Sequence, residues 1–308
     1  TYRNLSKKWR DNVSIKLVGN KSSSSMRFQD NLFEENALPP EFIKALAEAN
    51  ESDNPGVVEA YIYSAFQLRH SSLTQIYRKL NDATPDSFIL GNFIESFSRD
   101  KGLKRSIDKC YEIIVYALFD SIVQYLGAMV TLGVPEHKAT LIDEFGDFGR
   151  VVLGITSENP AISVPARLFR AAATNAGDRG LDMWANFGPA IQVKHVSLDD
   201  QLMEEMDSQV ASDAQLIVVC STADKLTIQM VTNKISVSDR LKGIVTQSQL
   251  EKWFGLALQG EHKTTLGRNL IKCLREEFSR EFPSEGEVFE QFYRGRGYHE
   301  ITRGLMWM

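Results

Sequence analysis

Two short apolar runs flank the dipeptide Gly188-Pro189, and no other feature constrains this chain as tightly. Gly-Pro is a turn signal. Residues 181–185 before it and 190–196 after it read as the two strands of a hairpin. Side chains alternate between the faces of a strand, so Gln192 and Lys194 share one face while Ile191, Val193 and His195 take the other. Asp182, on the partner strand, can reach the Gln192/Lys194 face. A carboxylate, an amide oxygen and a lysine at one end of a hairpin can hold a divalent cation and activate a water, and that chemistry suits phosphodiester cleavage.

The rest of the chain places this hairpin in a mixed α/β fold. Residues 1–55 carry little periodicity apart from a short helix expected over 41–48. Residues 57–80 repeat their apolar residues every three or four positions, as helices do, and further helices are expected over 87–99, after Thr84-Pro-Asp, and over 103–126, after the Asp100-Lys-Gly stop. The pattern changes after about residue 160. A helix is expected over 166–174, then the hairpin, an acidic helix over 198–210, strands over 215–220, 225–231 and 243–246, and a helix over 247–258. An amphipathic helix over 264–282 follows, with Leu266, Leu270, Leu274 and Phe278 spaced by four. The expected organisation is a mainly helical region, 1–135, and a core, 136–308, with a central mixed sheet flanked by helices and a helical C-terminal part.

Composition narrows the function classes. A hydrophobic content of 43% supports a sizeable core, and a net charge of −5 does not mark the whole chain as a polyanion binder. A local basic surface remains open to nucleic acid. Cys110, Cys220 and Cys273 lie far apart and form no CxxC pair, against a zinc site or a disulfide framework. A reducing cytoplasm fits, and no signal peptide opens the chain. The apolar stretch 113–134 is long enough for a bilayer. Asp120 in its middle costs about 2.5–3.5 kcal/mol on insertion scales, and Gly127, Gly133 and Pro135 interrupt it, so it reads as a buried helix and a loop, with no membrane partner.

Other motif fragments lack their context. Gly146-Asp147-Phe148-Gly149 contains the DFG letters of kinases without a catalytic loop or a glycine-rich loop. Gly19 to Ser22 ends like a P-loop but lacks its first glycine, so no nucleotide cofactor is expected. The five histidines show no metal-ligand spacing. His195, on the face opposite Lys194, takes no catalytic role in this reading.

Asp182 followed by Gln192-Val193-Lys194 resembles the PD-(D/E)xK nuclease superfamily, and within it the type II restriction endonucleases. The family pattern is an Asp, a spacer, then Asp/Glu-x-Lys on the next strand. Gln192 departs from it: an amide offers one oxygen and no charge, and so binds a hard cation less strongly. The sequence from Gly177 to Asp182, together with residues 104–128 and 170–260, resembles the HaeII-type enzymes in particular. The resemblance implies a PD-(D/E)xK-like core and Mg²⁺-dependent, sequence-specific cleavage of double-stranded DNA. Asp182 and Gln192 would ligate the metal and Lys194 would act on the attacking water or the phosphate. Asp178 rivals Asp182 as ligand; Asp182 is favoured because apolar neighbours fix it in a strand, whereas Asp178 sits in a glycine turn. Glu144 is the candidate for an extra upstream acid. Arg294 and Arg296, between glycines and tyrosines, and the basic arm of Lys7, Lys8 and Arg10 are candidate DNA contacts. Palindromic targets imply a homodimer. The alternatives are a structure-specific repair or recombination nuclease, and a catalytically inactive DNA-binding module of the same fold.

Overall fold

The computed structural model describes residues 40–51, 56–100, 102–171, 181–195, 215–223, 241–282 and 286–301. Asp178, the arm of Lys7, Lys8 and Arg10, the acidic helix expected over 198–210 and the strand expected over 225–231 lie outside the described residues. The chain divides into two compact units, one of Thr1–Ile76, Lys101–Leu103 and Pro283–Met308, the other of Tyr77–Asp100 and Lys104–Phe282.

The described part of the first unit is helical. It contains α1 (Pro40–Glu51), most of α2 (Val57–Asp82) and, near the C-terminus, α8 (Gly286–Gly295). Ala60, Tyr63, Tyr293 and Tyr298 form its buried cluster, with Phe292 and Ile301 packed against it. Tyr63 and Tyr298 stack at 5.0 Å between ring centres, and the Tyr298 hydroxyl donates to Glu59. The two tyrosines that bracket Arg294 and Arg296 in sequence are therefore core residues. The arginines themselves are exposed.

The second unit holds the sheet. Five strands run in the order β3 (Leu168–Arg170), β4 (Met183–Ala185), β5 (Ala190–Val193), β6 (Leu216–Cys220) and β7 (Leu241–Thr246). The β3–β4 and β4–β5 pairs are antiparallel, and the β5–β6 and β6–β7 pairs are parallel. This is the mixed sheet expected. A separate antiparallel ribbon pairs β1 (Met129–Gly133) with β2 (Ala161–Pro165). The helices of this unit are α3 (Leu90–Arg99), α4 (Ile107–Tyr125), the short α5 (Ala139–Glu144), α6 (Gln247–Gln259) and α7 (Arg268–Glu281).

Helix α4 is the spine of this unit. It packs on β3 and β5 on one side and on α6 and α7 on the others. Cys110, Ile113, Ile114, Val115, Ala117 and Leu118 are all buried, as expected of a helix apolar around its whole circumference. The helix ends before Gly127, which takes φ +61°, and the remaining apolar residues of the 113–134 stretch enter β1. Among the described residues, no helix is long and apolar enough to cross a membrane.

The helix expected over 166–174 is corrected. Residues 168–170 form a strand, with Phe169 opposite Trp184 in the ladder. An apolar run this short has no decisive period of its own. Pairing with β4 decides its conformation, and the Phe169 and Trp184 rings stack at 4.1 Å across the two strands.

Candidate active site

The hairpin forms as its sequence requires. Met183 pairs with Ile191, and Gly188 takes φ +115° in the turn, a region of backbone space that favours glycine. β5 is hemmed in by β4 and β6, and all four of its residues are buried. Both faces of its body are therefore covered. Gln192 is 0% exposed, and neither its amide oxygen nor its amide nitrogen has a hydrogen-bond partner. An unpaired buried amide costs free energy unless a ligand satisfies it.

Asp182 stands just before β4, level with the end of β5. Its N–H donates to Ile191 O at 3.2 Å. Its Oδ2 accepts from the Val193 N–H at 2.7 Å. The carboxylate is thus pinned across the strand that carries Gln192 and leads into Lys194. Lys194 leaves β5 with its N–H donating to Val219 O at 2.8 Å, which fixes it at the carboxyl end of the parallel strands. Burial pushes the Asp182 carboxyl pKa up against the Val193 hydrogen bond and the nearby Lys194 and Lys109, which pull it down, with Asp108 adding to the rise. A buried carboxylate whose neighbours do not fully compensate its charge suits a cation.

A second acid joins it from α4. Glu112 is 5% exposed, and Lys109 Nζ donates to both its oxygens at 2.8 and 2.7 Å. Burial raises the Glu112 carboxyl pKa; the hydrogen bond from Lys109 opposes the rise and the Asp182 charge adds to it. Asp182 therefore lies close enough for its charge to act on Glu112. Sequence reasoning missed Glu112. Its only local signal is a charged residue, paired with Lys109, at the head of an otherwise apolar buried helix. Glu144 is exposed at the end of α5 and is not among the groups that act on Asp182.

The structure therefore brings Lys194 near Asp182 and adds Glu112 and Lys109, while Gln192 stands two residues before Lys194 with its side chain buried. Among the described residues, no three of His, Cys, Asp and Glu are grouped as metal ligands, so a metal here would rest on the two carboxylates and the Gln192 oxygen. Gln192 fits that requirement in one respect: its amide oxygen is buried and has no hydrogen-bond partner. Arg294 and Arg296 belong to the other unit. Arg294 donates to Glu290 at 2.8 Å, and the Arg296 guanidinium lies 5.7 Å from the Phe292 ring centre.

Comparison with known proteins supplies the family. The chain is 41% identical over 301 residues to the type II restriction enzyme HaeII of Haemophilus aegyptius, which covers 97% of this chain and 85% of that protein. It is 41% identical over 304 residues to the type II restriction enzyme NgoBI of Neisseria gonorrhoeae, with 98% and 85% covered. No solved structure matches it at a significant level. Residues 1–298 match the HaeII restriction endonuclease family as a whole, and the chain belongs to that family, whose members are site-specific deoxyribonucleases.

Proposed function

We propose that the end of the β4–β5 hairpin is a PD-(D/E)xK-type active site that cuts double-stranded DNA with Mg²⁺. The observation that carries this reading is Gln192, whose amide is fully buried and unpartnered in the strand whose next residue, Val193, holds the Asp182 carboxylate. Asp182, Glu112 and the Gln192 carbonyl oxygen would hold the metal, with Glu112 in the role that sequence reasoning offered to Glu144. A bound divalent ion supplies positive charge for the scissile phosphate and lowers the pKa of a coordinated water.

The residues of the chain do the rest. The Val193 N–H holds the Asp182 carboxylate in one orientation, so its other oxygen is directed without entropic cost at the moment of reaction. Lys194 donates to the attacking water or to a phosphate oxygen and stabilises the charge that builds there. Lys109, which pairs with Glu112, favours the ionised carboxylate against the burial that opposes it. The exposed Arg294 and Arg296 and the arm of Lys7, Lys8 and Arg10 are proposed phosphate or base contacts, the enzyme is proposed to act as a homodimer in the cytoplasm, and Asp178 remains the proposed rival to Asp182 as metal ligand.

The test is digestion of a phage genome with Mg²⁺ and with EDTA, followed by mapping of the ends. Discrete fragments sharing one end sequence, formed only with the metal, are expected. A smear, junction-only cutting or metal-independent cleavage would overturn the reading.

A further inference from the structure

His195 follows Lys194 directly, and the structure gives its ring a specific holder. Its Nδ1 meets the Oδ1 of Asp108, in the first turn of α4. The ring also lies 6.4 Å from that of Tyr111, one turn further along the same helix, whose hydroxyl donates to Gln247 at the start of α6. The ring is half-buried, so one edge is open to solvent. Asp108 is also one of the charges that act on Asp182, so this pair stands beside the proposed site rather than elsewhere on the sheet.

With Nδ1 engaged by a carboxylate, Nε2 is the nitrogen left for a ligand. A phosphodiester presents only hydrogen-bond acceptors, and a doubly protonated imidazole donates from both nitrogens at once. Most protein–DNA hydrogen bonds reach the phosphates and sugars, and they set register on the duplex. We propose that His195 is a DNA-binding residue: Nε2 donates to a non-bridging oxygen of a phosphate adjacent to the scissile one, and Asp108 is the positioning residue that aims it. The inference rests on the location of the active site proposed above. The plain rival is a structural tie between β5 and α4, in which Nδ1 matters and Nε2 does not.

Two amide replacements separate these roles, because asparagine places its nitrogen near the position of Nδ1 and glutamine places its nitrogen near that of Nε2. Affinity for a duplex carrying the mapped cleavage site would be measured in EDTA, with melting curves alongside. His195→Asn keeps the tie to Asp108 and should bind about tenfold more weakly while melting as the wild type does, the loss expected for one charge-assisted hydrogen bond. His195→Gln should keep most of the affinity. Replacing the contacted phosphate by an uncharged methylphosphonate should weaken the wild type and leave His195→Asn with no further loss. Wild-type affinity in His195→Asn, or losses that add at every methylphosphonate position, would overturn the proposal. If His195→Asn fails to fold, the methylphosphonate scan on His195→Gln decides: sensitivity at one phosphate beside the cut supports the contact, and equal affinity at every position overturns it. The cleavage assay on Lys194→Ala is independent of these measurements. An active Lys194→Ala removes the site reading, whereas an inactive one beside normal binding by His195→Asn removes only this inference.

Discussion

The Asp182 carboxylate accepts a hydrogen bond from the Val193 N–H at 2.7 Å, and this bond joins the two halves of the candidate site. It ties the acid on one strand of the hairpin to the peptide midway between Gln192 and Lys194 on the other. Removing the carboxylate removes both a proposed ligand and a clasp, and the predictions below separate those two roles.

Gln192→Glu adds a charge at a position that is 0% exposed. An uncompensated buried carboxylate is strongly unfavourable. In EDTA the variant should therefore melt well below the wild type, and Mg²⁺ should recover more of its stability than it does for the wild type. Some cleavage should remain, with an altered preference among divalent ions. A melting point lowered equally with and without metal would argue that Gln192 packs the core and binds nothing.

Stability without metal should fall as pH rises. Asp182 and Glu112 both keep their protons to a higher pH in the folded chain than in the unfolded one. Folding then takes up protons, so the penalty sets in above the ordinary carboxylate range and is complete once pH exceeds the raised folded values. Asp182→Asn keeps an oxygen for the Val193 N–H and removes one such proton. Relative to the wild type in EDTA, it should gain stability steadily over that window, as read by denaturant titrations at a series of pH values. A constant difference between the two proteins would contradict the assignment.

Glu112→Gln should lower cleavage by orders of magnitude, because a charged oxygen that would hold the metal is lost. Glu144→Gln should cut at close to the wild-type rate, since Glu144 is exposed at the end of α5. Rate measurements on one plasmid decide between them, and the reverse order of effects would restore Glu144 as the acid of the site.

Arg170 supports the sheet from its edge strand. Its Nε lies 3.6 Å from Glu277, and its Nη2 pairs with Glu281, both on α7. The three side chains are 10%, 5% and 11% exposed. Arg170→Ala leaves buried carboxylates short of a partner and should cost about 3–5 kcal/mol of stability. A loss under about 1 kcal/mol, the level of a surface pair, would show that Arg280, which also pairs with Glu277, already neutralises the site.

The parts legible in the sequence were those with a local cause. Gly188-Pro189 specified the turn, the apolar runs beside it specified the strands, and three- and four-residue periods located the helices that became α2 and α7. Residues 168–170 were misassigned because their strand exists through pairing with β4. Glu112 was invisible for a related reason: its place beside Asp182 comes from α4 crossing β5, a contact between segments distant in the chain. The burial of Gln192 on both sides depends likewise on β6 and α4, which no pattern within the hairpin encodes.

Cleavage of plasmid DNA by Asp182→Ala and Lys194→Ala, with binding to the same DNA measured in parallel, tests the central claim most directly. Each variant should lose cleavage by several orders of magnitude and retain binding, because metal holding and water activation are removed while the DNA-contacting surface is intact. Near-normal cutting by either variant would contradict it.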